Sequence, residues 1–226
     1  MTHNDIHQAL RERVLILDGA MGTMLQKARA EAGCIDMLCL SSPETIEEIH
    51  LQYLQAGADI ITTDTFNANA ISLARYEASH LVPEICREAV AAARRAIERS
   101  GRRAWIAGDV GPTGKSLSMT ADDADTDFDT LRAAYLQQIG ALAEAGADLI
   151  LLETIFDTLN AKAAISALLE VRESTGRELP LMVSATLTES GRLLSGQTLE
   201  AFIVSISHAR PISIGLNCGF GAEQAV

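Results

Sequence analysis

The stretch AGADIITTDT at residues 56–65 decides the fold, because AGADLILLET at residues 145–154 repeats its pattern. In each stretch a small-residue turn containing glycine leads into a short apolar run, and polar residues follow the run. Helices commonly end at a glycine, so each stretch predicts a helix end, a buried strand and a polar strand end. Repeated helix-to-strand units with such short connections indicate a parallel sheet with right-handed crossovers.

Six short apolar runs along the chain are the candidate strands. Each is rich in Ile, Leu or Val and apolar on both faces, which is typical of a parallel strand buried between layers. The runs are Val14 to Leu17, Asp59 to Thr62, Ala104 to Gly108, Asp148 to Leu152, Leu181 to Ala185 and Ile212 to Leu216. A complete parallel barrel needs eight strand-helix units and usually ~250 residues or more. The residues alone leave open an incomplete (β/α) barrel or an open doubly wound sheet.

Amphipathic segments lie between these runs and predict helices. Ser42 before Pro43 predicts a helix start with a serine cap and an early proline. From Phe128 to Ala145 the apolar residues recur on one helical face. No linker or low-complexity segment interrupts the chain, so residues 1–226 are predicted to form one α/β domain.

The composition limits the classes of partner. The chain has 226 residues, a formal net charge of −12 at pH 7, 48% hydrophobic residues and 4% aromatic residues. A strongly acidic surface repels nucleic-acid phosphates and anionic lipid headgroups, so neither nucleic acid nor a membrane is expected as a partner. The N-terminus shows no apolar signal core, and no apolar run approaches membrane-spanning length, so the expected location is the cytoplasm.

The ends of the predicted strands carry the residues that could perform chemistry. In a parallel α/β fold the functional site lies at the C-terminal ends of the strands. Those ends carry acids, hydroxyls, glycines and a thiol, and the candidates are Asp18, Gly19, Ala20, Thr63, Glu153, Asn217 and Cys218. The two carboxylates that directly end strands can bind an amine, bind a metal, or act as acid and base. Spacing alone does not choose among these three uses.

The four cysteines are too few and too scattered for a disulfide framework. Cys34 and Cys39 have a CxxxxC spacing, a weak metal signal, and are interpreted as structural thiols. Cys86 lies within a helical pattern and is predicted to be in the core. Cys218 is the candidate for chemistry because it stands at a strand end, although a lone cysteine is more often a small buried residue.

The stretch GDVGPTGKS at residues 108–116 follows a predicted strand and looks like a phosphate-binding P-loop. The P-loop pattern requires a glycine five residues before the GKS triplet at 114–116, and the residue there is Asp109. Pro112 removes a main-chain donor that such a loop would use, and an acid would oppose a phosphate. The sequence therefore argues against nucleotide binding.

Together these stretches resemble the N-terminal, homocysteine-binding module of cobalamin-dependent methionine synthase. The matching stretches run in order almost from end to end and are LDGAMGTMLQ (17–26), AGADIITTDTFNAN (56–69), GPTGKSLS (111–118), AGADLILLETIFDTLNAKAA (145–164), LSGQTLEAF (194–202) and GLNCGFGAE (215–223). FDTLNAKAA and SGQTLEAF favour methionine synthase over the free-standing relatives that use betaine or S-methylmethionine. The resemblance implies a (β/α)8 TIM-type barrel, with about six of its eight strand-helix units present here.

The resemblance also implies a chemistry. Homocysteine binds through its sulfur to a zinc ion held by three cysteines, and Cys218 matches one of them. The other two form an adjacent downstream pair that the 226 residues do not include, so the module is expected to be truncated at its C-terminal end and inactive alone. Zinc deprotonates the thiol, and the thiolate takes the methyl group of methylcobalamin to give methionine. The expected partners are homocysteine and the cobalamin- and folate-binding modules of the same enzyme.

The resemblance assigns the substrate contacts as well. The expected substrate-binding residues are Asp18, Gly19, Ala20, Thr63, Glu153 and Asn217. The two acids are expected to hold the amino group of homocysteine. Main-chain donors near Gly19, Ala20 and Thr63 are expected to take its carboxylate.

Two alternatives compete with an active methyltransferase module. One is a folded fragment of the same domain that has neither metal nor turnover. The other is an unrelated aldolase or phosphate-binding barrel, which a Schiff-base lysine at a strand end would support. Lys115 and Lys162 are instead predicted to lie in a loop and in a helix.

Overall fold

Five parallel strands, hydrogen-bonded in chain order, form a curled half-barrel. They are seen in a computed structural model that describes residues 3–27, 33–119 and 127–219. The strands are β1 (Ile60–Thr62), β2 (Trp105–Val110), β3 (Leu149–Ile155), β4 (Leu181–Ala185) and β5 (Ser213–Leu216). The helices are α1 (His3–Glu12), α2 (Met21–Lys27), α3 (Leu38–Ser41), α4 (Pro43–Ala56), α5 (Ala70–Ala74), α6 (Val82–Ser100), α7 (Phe128–Ala145), α8 (Thr158–Thr175) and α9 (Leu199–Ile206). The α/β class and the barrel-like parallel sheet are therefore confirmed.

Five of the six predicted strands are confirmed; the fourth of these has its predicted ends, and no end of the others moves by more than three residues. The first run, Val14 to Leu17, is not a strand, and this prediction was wrong. Leu17 makes a single parallel bridge with Ile60, whose N–H donates to the Ile16 carbonyl (3.1 Å). Predicted burial on both faces was also wrong for this run, because Val14 is 82% exposed. Among the described residues the run pairs with β1 through this one bridge.

The helix before each AGAD stretch ends at its glycine, as predicted. Gly57 follows α4 with φ 112°, and Gly146 follows α7 with φ 96°. Glycine has no Cβ and adopts these left-handed angles at little cost. Helix α7 has its predicted bounds, and its predicted apolar face is buried.

The aspartate of each AGAD stretch accepts a hydrogen bond from the neighbouring extended segment. Asp59 accepts one from the Ile16 N–H (2.9 Å), and Asp148 accepts one from the Ile106 N–H at the start of β2 (2.8 Å). Arg13 also binds both oxygens of Asp59, at 2.6 and 2.8 Å. Asp148 thus ties the start of β3 to β2, and Asp59 ties the start of β1 to the run before it.

The helix start at Pro43 is confirmed, but the predicted serine cap is wrong. Ser42 occupies the N-cap position, yet its side chain accepts no capping hydrogen bond. With φ −150° and ψ 55°, its own carbonyl accepts the Thr45 N–H instead (3.0 Å). Side-chain capping occurs at Asp127 before α7 and at Asp157 before α8.

Apolar side chains pack on both faces of the sheet. The larger cluster joins the sheet to the surrounding helices and includes Ile61, Ile106 and Ile150. The smaller cluster is on the inner face and consists of Ile6, Ile60, Trp105, Ala107, Leu149 and Leu151. Strand residues alternate between the two clusters, as side chains on a pleated strand must. Within the described part of the chain, no helix is long and apolar enough to cross a membrane.

His50 on α4 is fully buried, and neither ring nitrogen has a hydrogen-bond partner among the described residues. Burial lowers the pKa of His50 from 6.5 to about 4. The unfolded chain therefore binds a proton between these pH values that the folded chain does not. Stability is lost as the pH falls through this window, by about 2 kcal/mol at pH 5.

Replacement of His50 by leucine should remove this loss. We expect urea unfolding to show that the free energy of unfolding of His50→Leu, relative to that of the parent chain, is about 2 kcal/mol higher at pH 5 than at pH 7.5. The exposed His80 provides the control, since His80→Ala should show no such gain. An equal difference between His50→Leu and the parent at both pH values would contradict the assignment.

Candidate functional site

A cleft of about 460 Å³ opens at the C-terminal ends of the strands. All seven sequence-predicted site residues line it, and they are Asp18, Gly19, Ala20, Thr63, Glu153, Asn217 and Cys218. Further lining residues include Met21, Ile35, Asp36, Asp64, Phe66, Asn67 and Asp109. The parallel sheet thus brings together residues that are far apart in sequence, as strand-end positions predict.

Asp18 is fixed on one side of the cleft by Thr62, the last residue of β1. Its carboxylate accepts hydrogen bonds from the Thr62 N–H (2.8 Å) and from the Thr62 hydroxyl (3.1 Å). Burial raises the pKa of Asp18 to about 7; the bonds from Thr62 oppose this, and the Glu153 carboxylate adds to it. Asp18 is therefore held in place but is poorly stabilised as an anion.

Glu153 lies at an irregularity of β3, where the register with β4 shifts between Leu152 and Ile155. Its Oε2 accepts a hydrogen bond from Asn217 Nδ2 (3.2 Å). Burial raises the pKa of Glu153 as well. Within the described residues, neither Glu153 nor Asp18 takes part in an ion pair. The described residues that line the cleft include no Lys, Arg or His.

Two half-buried carboxyls without a cationic partner among the described residues favour a cationic ligand. Placing a positive group between them would recover electrostatic energy that desolvation has cost each acid. An ammonium group fits both the charge and the hydrogen-bonding capacity of such a pair. No lysine lies in the described lining, so the cleft offers nothing to form the Schiff base that the aldolase alternative requires.

The turn between Asp18 and α2 brings the main chain close to the cleft. A Cβ on Gly19 would lie 2.8 Å from the Tyr53 hydroxyl oxygen, so a larger residue does not fit. The same hydroxyl donates to the Ala20 carbonyl (3.1 Å). The N–H groups of Gly19 and Ala20 donate to no acceptor among the described residues. They are available to an anionic group in the cleft.

Thr63 lines the cleft, but its hydrogen-bonding capacity is used by the protein. Its N–H donates to the Ala107 carbonyl (2.9 Å). Its hydroxyl accepts the Asp109 N–H (3.0 Å) and pairs with the Thr65 hydroxyl at 2.7 Å. The Thr65 hydroxyl in turn donates to the Asp109 carbonyl (2.7 Å), so the Thr63 hydroxyl is the donor in that pair. Thr63 therefore forms part of the cleft wall, and both of its donors are already used by the protein.

Cys218 is the exposed cysteine, whereas the other three are buried as predicted. Cys34 donates to Asp36 (3.3 Å), and burial raises the pKa of the Cys34 thiol to about 12. Cys39 donates to the Asp64 carbonyl (3.4 Å), and burial likewise raises its pKa. These thiols are protonated donors to cleft residues, which agrees with a structural role.

The stretch that looks like a P-loop is bound to an acid. Asp157 accepts hydrogen bonds from the Ser116 hydroxyl (2.6 Å), the Ser118 hydroxyl (2.8 Å) and the Ser118 N–H (2.8 Å). Burial alone would raise the pKa of Asp157, but these bonds outweigh it and the pKa is lowered. The loop is thus tied to the start of α8 by an anion where a nucleotide phosphate would be repelled.

Sequence reasoning did not single out Ser184, which lies just behind the cleft. Ser184 on β4 donates to Asn217 Oδ1 (2.8 Å), so it belongs to the hydrogen-bond network around Cys218. It lies inside an apolar run, and only the alternation of side chains along a strand could have placed it on the inner face. The last part of the GLNCGFGAE stretch, residues 220–223, is outside the described residues.

Fold and cleft together define a parallel α/β barrel-type protein with an acid-lined cleft at the C-terminal ends of its strands. The sequence profile of the homocysteine S-methyltransferase family matches residues 15–226, and the chain belongs to this family.

Solved structures of one family member show the same architecture. The metallated form of the homocysteine methyltransferase MmuM from Escherichia coli is 26% identical, with a TM-score of 0.77 over 96% of this chain and 78% of that one. Its oxidized form is 25% identical, with a TM-score of 0.74 over 92% and 75%. Its apo form is 28% identical, with a TM-score of 0.70 over 95% and 76%.

The burial of three thiols leads to a simple chemical test. In native buffer, one thiol per chain should react rapidly with a chromogenic disulfide reagent, and Cys218→Ser should abolish that fast phase. The other three should react only after urea unfolding, because their thiols are buried and protonated. Two or more fast thiols in the folded parent chain would contradict the structure.

Proposed function

We propose that this chain binds homocysteine in the rim cleft and presents its thiol for methylation, as the homocysteine-binding module of a cobalamin-dependent methionine synthase. The observation that carries the proposal is the pair of half-buried carboxyls, Asp18 and Glu153, which line one cleft with no cation beside them among the described residues. Membership of the family supports the amino-acid substrate. The FDTLNAKAA and SGQTLEAF stretches support the methionine synthase branch.

In this proposal the amino group of homocysteine lies between Asp18 and Glu153. A bound ammonium favours the ionised form of both acids. Each charge-assisted hydrogen bond of this kind contributes about 1.5–3 kcal/mol. The carboxylate of the substrate then reaches the N–H groups of Gly19 and Ala20. Thr63, whose donors are committed to the protein, bounds the cleft and does not hold the carboxylate.

The substrate thiol is placed toward Cys218, across the cleft from Asp18. In the methyl transfer the thiol loses its proton, and the sulfur forms a bond to the methyl carbon. The bond from methyl to the donor breaks, and its electron pair stays on the donor. We assign methylcobalamin as the donor and propose that it and the folate are bound by other modules. Residues 1–226 act as one domain in the cytoplasm, where free cysteines stay reduced.

Zinc in such a site would lower the pKa of the substrate thiol and hold the sulfur. Cys218 fits the role of one thiolate ligand because it is exposed at the cleft. However, the described residues contain no group of three or more His, Cys, Asp or Glu side chains arranged to hold a metal ion. These residues therefore do not make a complete zinc site, and zinc enters no step of the reaction described above.

Loss of either carboxylate should weaken binding of the amino group. By calorimetry, Asp18→Asn and Glu153→Gln should each raise the Kd for homocysteine roughly tenfold to 100-fold. The matched control is Glu173→Gln, an exposed acid on α8. 4-Mercaptobutanoate, which lacks the amino group, should bind parent and variants alike. If Glu153→Gln binds homocysteine as tightly as the parent, the ammonium role is excluded.

The 226-residue chain should not hold zinc stoichiometrically by itself. Zinc sites need three or four protein ligands, and three of the four cysteines are buried thiols engaged elsewhere or packed in the core. Metal analysis of the purified chain should find substoichiometric zinc, equal in the parent and in Cys218→Ala, and no methyl transfer from methylcobalamin. One zinc per chain that resists mild chelation would overturn this prediction.

A further inference from the structure

One side-chain amide, that of Asn217, connects the acid side of the cleft to the thiol side. Its Nδ2 donates toward Thr154 Oγ1 (2.9 Å), Glu153 Oε2 (3.2 Å) and Cys218 Sγ (3.4 Å). Its Oδ1 accepts from the Thr154 N–H (3.0 Å) and from the Ser184 hydroxyl (2.8 Å). An amide oxygen has two lone pairs and an amide nitrogen two hydrogens. Asn217 therefore has no capacity left for substrate.

The backbone around this amide is strained on both sides. Thr154 has φ 55° and Cys218 has φ 51°, both in the left-handed region. For residues other than glycine this conformation costs on the order of 1–3 kcal/mol, and most for a β-branched side chain such as threonine. The Thr154 N–H is held by Asn217 Oδ1, and the Thr154 hydroxyl donates to Cys218 Sγ (3.6 Å). The strained conformation thus depends on the orientation of the Asn217 amide.

Ser184 on β4, the strand between β3 and β5, donates its hydroxyl to the oxygen end of the amide, beside the Thr154 N–H. In a flipped amide the N–H₂ group would face the Thr154 N–H, which cannot accept, and the Ser184 hydroxyl would have to turn from donor to acceptor. Gly215 on the adjacent strand lies beside it, and a Cβ there would be in ordinary contact distance of Ser184 Oγ (4.0 Å). Ser184 does not line the cleft.

We propose that Ser184 is a positioning residue: its hydroxyl fixes the Asn217 amide in the one orientation that holds the Glu153 carboxylate and the Cys218 thiol together. The amino-group side and the thiol side of the cleft are then set at a constant separation. This inference rests on the proposed function insofar as Glu153 and Cys218 receive the two ends of homocysteine. It also revises the role expected for Asn217, from substrate contact to support of the two neighbours.

The test compares Ser184→Thr with Ser184→Val, which have nearly the same shape but differ in the hydroxyl. Ser184→Ala provides a second variant without the hydroxyl. We expect the Kd for homocysteine to rise threefold to tenfold in the Val and Ala variants and to stay within twofold of the parent in Ser184→Thr. In an Asn217→Ala background, Ser184→Ala should add no further loss, because Ser184 acts through that amide.

A second readout needs no homocysteine. The rate of alkylation of Cys218 by iodoacetamide should change at least threefold in Ser184→Val and stay parental in Ser184→Thr, because the hydrogen bonds to Sγ govern its exposure and reactivity. A parent chain that binds no homocysteine would refute the proposed function, and the alkylation rates would still decide the role of Ser184. Equal behaviour of the Thr and Val variants in both measurements would overturn the inference.

Discussion

Asp148 accepts a hydrogen bond from the Ile106 N–H, and Asp59 accepts one from the Ile16 N–H; these bonds tie the start of β3 to β2 and the start of β1 to the extended run before it. In a parallel sheet, strands that begin at one level also end near one level, so the side chains after the strands converge on a single rim. The glycine that ends each preceding helix makes the connection short enough for the aspartate to reach. The cleft exists because this small unit is repeated.

The rim carries acids that folding alone does not favour. Desolvation of Asp18 and Glu153 opposes their ionisation, and among the described residues a few hydrogen bonds from Thr62 and Asn217 offset it in part. A protein selected for stability alone would place apolar side chains or ion pairs here. The unfavourable electrostatics are explained if the missing positive charge belongs to a ligand, which is the physical basis for an ammonium site.

The sequence predicts the sheet and the members of the rim, because buried parallel strands and their polar ends leave a local pattern. It fails where the outcome depends on a distant partner. The first run is apolar like the others, but apolarity does not reveal whether a strand has neighbours on both sides, and Val14 is exposed. Thr63 stands at a strand end, but its donors are spent on Ala107 and Thr65. Asn217 meets Thr154 across 63 positions of sequence, and no local pattern encodes that contact.

The cysteines differ in environment: three are buried, and Cys218 is exposed at the cleft. Cys34 and Cys39 lie beside acids, and burial together with those neighbouring carboxyls raises the pKa of both thiols. They remain donors and are unsuited to bind a metal as thiolates. Cys218 has the opposite surroundings: it is exposed, and Asn217 and Thr154 donate hydrogen bonds to its sulfur. Cys218 is therefore the cysteine whose sulfur a ligand in the cleft can reach, and the hydrogen bonds from Asn217 and Thr154 hold it at the rim.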